Sequence, residues 1–63
     1  MIKIRRELMQ DARRIGMREI THQFGEALMI DWQIHIDEDG KVMVVVFATT
    51  KDYGNRSHTV VIA

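Results

Sequence analysis

The chain contains no cysteine and no proline. Lack of cysteine rules out disulfides and thiolate zinc sites. That matters for a chain of 63 residues, because small domains commonly depend on a disulfide, a metal or a second subunit. It also fits a reducing compartment, and a cytoplasmic location is expected. Lack of proline leaves every peptide N–H except the first available to a helix or a sheet ladder. Long apolar runs are missing too. No stretch approaches the ~20 residues that span a bilayer, and Met1-Ile2-Lys3-Ile4-Arg5-Arg6 lacks the apolar core and cleavage site of a secretion signal. No membrane partner is expected. Aromatic residues are few: Phe24, Trp32, Phe47 and Tyr53.

Net charge is zero, but the charge is unevenly distributed. Residues 1–25 hold six basic side chains against three acidic ones. Residues 26–40 hold five acidic and no basic ones, and residues 41–63 hold three basic against one acidic. A basic N-terminal element and an acidic middle can attract each other, within one chain or between copies. Exposed pairs of this kind are individually weak.

What the chain does have is periodicity. Leu28, Ile30, Trp32, Ile34 and Ile36 alternate with Met29, Asp31, Gln33, His35 and Asp37, the period-two pattern of a strand with one buried face. Asp37-Glu38-Asp39-Gly40 supplies a turn. Val42-Met43-Val44-Val45-Val46-Phe47 is apolar on both faces and therefore expects cover on both sides of its sheet. Lys51 to Asn55 gives a second turn, and Ser57 to Ile62 a third strand. Residues 3–24 read as helix: Ile4, Leu8, Ala12 and Ile15 form one stripe, and Met9, Gly16, Met17, Ile20 and Phe24 an adjoining one. Gly16 admits a bend or break, but an uninterrupted helix is preferred because no capping residue follows it. Gly25 is placed to stop the helix. Lys3, Arg5 and Arg6 oppose the helix dipole at its start, so Ile2–Arg5 is alternatively a lead-in strand.

The reading is one α+β domain over 1–63, α-β-β-β, a helix packed on a three-stranded antiparallel meander with strands near 27–36, 41–49 and 57–62. A two-residue turn at Asp39-Gly40 would set Ile36 opposite Met43, Ile34 opposite Val45 and Trp32 opposite Phe47, all beneath the helix. Val42, Val44 and Val46 would then project outward. Together with Val60 and Ile62 on the last strand they are the expected protein interface, and the expected partner arrangement is a homodimer, stacked sheet on sheet or extended through the last strand.

Chemistry-bearing motifs are scarce. His22, His35 and His58 match no metal-ligand spacing, and no metal or other cofactor is expected. Asp37–Gly40 shares only composition with a calcium loop. There is no phosphate loop and no nucleophile elbow, and Ser57 and His58, as strand neighbours, face opposite ways. A motif-free nuclease built on His58, Arg56 and Tyr53 is the least favoured reading. Nucleic-acid binding through Lys3, Arg6, Arg13, Arg14 and Arg18 is the alternative; against it stands a pI of about 6.8, where such proteins usually exceed ~9. The expected function is a small non-enzymatic interaction module: an inhibitor, adaptor or regulatory subunit, of the kind that phages encode by fold-level analogy.

Overall fold

A computed structural model describes residues 5–62. One helix, α1 (Arg6–Phe24), precedes three strands: β1 (Ala27–Ile36), β2 (Val42–Thr50) and β3 (Gly54–Val61). The sheet is antiparallel in the order β1-β2-β3, and the helix lies across one face of it. This is the α-β-β-β architecture expected from the periodicity. Residues 3 and 4 of the expected helix lie outside the described residues, and Arg5, expected within it, is instead its extended N-cap (φ −65°, ψ 141°), so the helix begins at Arg6. Strand β3 starts earlier than Ser57, at Gly54.

Helix α1 runs unbroken through Gly16. Its buried positions are Met9, Ala12, Gly16 and Ile20, spaced three to four residues apart as one stripe on a helix must be. Of the stripe Leu8, Ala12 and Ile15, only Ala12 is buried; Leu8 and Ile15 are exposed. Gly16 marks the closest approach of the helix to the sheet. A Cβ placed there would lie 2.7 Å from Val46 Cγ2 and 3.1 Å from Val46 Cβ. Glycine thus lets the helix backbone rest directly on β2. Gly25, at φ +84°, ends the helix, and its N–H donates to the Thr21 carbonyl at 2.9 Å.

The register differs from expectation by one residue. The Asp37 N–H donates to Lys41 O, and the Gly40 N–H to Asp37 O, so Glu38, Asp39 and Gly40 form a three-residue loop. Gly40 takes φ +81°, the left-handed position such a loop requires. The Asp37 carboxylate accepts from the N–H groups of Asp39 and Lys41, both at 2.9 Å. Ile36 therefore pairs with Val42, Ile34 with Val44 and Trp32 with Val46. A one-residue slip moves every side chain to the other face. Accordingly Val42, Val44 and Val46, expected outside, are buried beneath the helix, and Met43, Val45 and Phe47 face away from it.

A second irregularity lies in β1. The pairing shifts between Met29 and Asp31, so Ile30 is an inserted bulge residue. Ala27 and Met29 precede it on the helix side, while Trp32, Ile34 and Ile36 follow it there. The alternation Leu28, Ile30, Trp32 is thus broken, and Leu28 turns to the opposite face with Thr49. At the other hairpin, the hydroxyl of the buried Thr50 donates to Gly54 O at 2.7 Å and accepts from the Tyr53 N–H at 2.9 Å, closing the β2–β3 turn.

Two outcomes test this packing. Gly16→Ala gains roughly 1 kcal/mol of helix propensity, yet it inserts a methyl against a fully buried β-branched side chain, which costs about 1–3 kcal/mol. A lower urea midpoint is expected; a raised one contradicts the close approach. Asp37→Ala removes two side-chain bonds to the loop and is expected to cost about 1–2 kcal/mol in the same measurement.

Candidate functional site

The helix covers one face of the sheet, and among the described residues nothing covers the other. Register places Leu28, Asp31, Gln33 and His35 of β1 on this second face, beside Met43, Val45, Phe47 and Thr49 of β2. Asn55, Ser57, Thr59 and Val61 of β3 complete it. Its apolar members form a diagonal stripe. Leu28 and Ile30 occupy the corner where β1 begins, Phe47, Val45 and Met43 the centre, and Val61 the corner where β3 ends. Leu28 is 70% exposed and Val61 59%. A shallow depression of about 330 Å³ opens beside Phe47, between Ile30, Asp31 and Gln33 on one side and Asn55 and Ser57 on the other. Of the residues that register places on this face, only Asp31 carries a full charge.

The reason for this exposed face is the size of the core. The large fully buried side chains are Ile20, Val42, Val44 and Val46. One helix over three strands encloses only that inner layer. The outer apolar positions of β2 stay half-buried, sheltered by neighbouring strands alone.

None of the five residues expected at a protein interface lies on this uncovered face. Val42, Val44 and Val46 are core, and Val60 and Ile62 pack against that core from the helix side. The face instead uses their strand neighbours Met43, Val45 and Val61. Strand β2 is apolar on both faces, as its sequence reads, and one of them faces away from the helix. Which set of residues forms it depends on the loop length, and an apolar strand does not reveal that.

The expected cation row on the helix also separates. Lys3 lies outside the described residues. Arg13 turns toward the sheet, its guanidinium carbon 4.8 Å from the centre of the Trp32 ring, a cation–π contact. Arg14 is paired with Asp11 at 2.6 Å. Arg6 and Arg18 are exposed. Arg14, Arg18 and His22 remain as a row one helical turn apart, lining an open hollow with Met17 and Thr21.

The histidines do not converge. His58 pairs with Val46 on the helix side, whereas His35 pairs with Met43 on the open side. No cluster of three metal-ligating side chains occurs among the described residues. Arg56 lies over the Phe24 ring at 5.2 Å, and Phe24 meets Tyr53 at 5.8 Å between centroids. These three side chains thus form a packed corner at the end of the sheet. No helix among the described residues is long and apolar enough to cross a membrane. Comparison with protein-family models, with characterised proteins and with solved structures yields no match.

The adjacent residues Val44 and Val45 provide the test. Val44→Asp buries an unpaired carboxylate, a loss of about 3–5 kcal/mol. A domain this size holds only roughly 3–9 kcal/mol in total, so loss of the helical circular-dichroism signal is expected. Val45→Asp, on the open face, is expected to retain that signal. The opposite result would restore the register with the shorter turn.

Proposed function

We propose that this protein is a non-enzymatic protein-binding module whose docking surface is the uncovered face of its sheet. The observation that carries this reading is the diagonal apolar stripe from Leu28 and Ile30 through Phe47 and Val45 to Val61. Single exposed apolar residues are ordinary, but a contiguous patch with polar margins marks an interaction site. Gln33 and His35 flank the stripe at one corner and Asn55 and Ser57 at the other. Those side chains supply the hydrogen-bonding rim that interfaces have. Inhibition, adaptation or regulation of a partner are the roles such a surface serves.

The test uses a photo-reactive benzoylphenylalanine in place of Phe47, irradiated in the producing cell. Discrete protein adducts are expected, and none when the same residue replaces the exposed Thr21. Absence of any adduct from position 47 contradicts the reading.

A second reading keeps the row Arg14, Arg18, His22, whose spacing of roughly 6 Å per turn suits successive phosphates. The Asp11 pairing of Arg14 and the engagement of Arg13 on Trp32 weaken it. Oligonucleotide titration at low salt separates the two. Negligible saturable binding is expected; micromolar binding that falls steeply with salt would favour the helix instead.

A further inference from the structure

We infer that the occupant of the open face is a second copy of this chain, stacked sheet on sheet. This rests on the protein-binding reading above and names its partner. Four observations converge.

The first concerns charge. Asp31 is the one fully charged residue that register places on the face, and it sits on the edge strand β1. There its carboxylate accepts the Trp32 N–H, so two copies meet without leaving it unpartnered, and a chain of zero net charge does not repel itself. A second copy supplies the matching neutral apolar stripe.

The second concerns area. Three strands at ~4.8 Å spacing and eight to ten residues at ~3.3 Å each make a face of roughly 14 by 28 Å. Two such faces bury on the order of 1,000 Å², the lower bound for specific association. A partner smaller than the whole face would fall below it.

The third concerns the core. Among the described residues, Leu28, Ile30 and Val61 on this face are large apolar side chains that stand exposed. An isolated domain of this size is marginal. Stacking at the ~10 Å distance of packed sheets turns Val45 and Phe47 into the centre of a second core.

The fourth excludes extension of the sheet through β1. Its edge carries the Ile30 bulge, and the Asp31 carboxylate accepts the Trp32 N–H at 2.8 Å. A bulge and a carboxylate that occupies a main-chain donor are both devices that block edge pairing. The β1 edge is thus poorly suited to pairing, and the inferred contact is between the open faces. In the stacked dimer both helices lie on the outside.

The experiment is solution mass by light scattering on the full chain, from about 10 to 500 µM. A mass near twice 7.4 kDa is expected, falling about twofold in Phe47→Asp. Because that variant risks unfolding, the adduct formed by benzoylphenylalanine at position 47 is weighed as well, and it too is expected at twice the chain mass. A wild-type mass of 7.4 kDa throughout overturns the second copy. So does a dimer whose position-47 adduct has another mass. In either case adducts of other mass leave the protein-binding reading standing, whereas no adduct at all removes both.

Discussion

The fold depends on how closely α1 sits on β2. Gly16 rests against Val46 with no room for a methyl between them. That contact fixes the height of the helix, and it requires the branched but short valines beneath. Val42, Val44 and Val46 are all essentially inaccessible. Methionine or phenylalanine at those sites would lift the helix. The larger Met43 and Phe47 therefore belong on the other face, and the loop from Asp37 to Lys41 delivers that arrangement by its length. Packing and turn chemistry thus agree on one register.

Much of this was legible in the sequence, and the parts that were not share a cause. Helix and strand periodicities gave the α-β-β-β order. The stop at Gly25 was equally readable, since a glycine directly after a helical stripe has few other uses. The register was not. In β2 both faces are apolar, so the strand contains no information on which face is inner. The decision passes to the loop, where Asp39-Gly40 reads equally as the core of a two-residue turn or the end of a three-residue one. The deciding group is Asp37, whose carboxylate spans the loop to the N–H of Lys41. In β1 the bulge at Ile30 hides inside an unbroken alternation, because Leu28 and Ile30 satisfy the pattern whichever face they take.

The candidate site inherits both errors. Outward valines were expected, and a diagonal of Leu28, Ile30, Phe47, Val45 and Val61 is found. That β2 is apolar on both faces is unaffected by the change of register, because it rests on composition and not on parity. The cations show the converse. A helical wheel groups Arg6 with Arg13, but the wheel does not know that Trp32 lies under Arg13. Tertiary contact redirects a side chain that sequence alone assigns to solvent.

Isotope-filtered nuclear Overhauser spectroscopy on an equimolar mixture of labelled and unlabelled chains addresses the central claim most directly. The account predicts contacts from the Val44 and Val46 methyls to Ala12 and Gly16 within one chain. It also predicts contacts between the Val45 methyls and the Phe47 ring of different chains. Contacts from Val45 to Gly16 within one chain would contradict the register. An absence of contacts between chains, at concentrations where the intrachain set is complete, would contradict the stacked dimer.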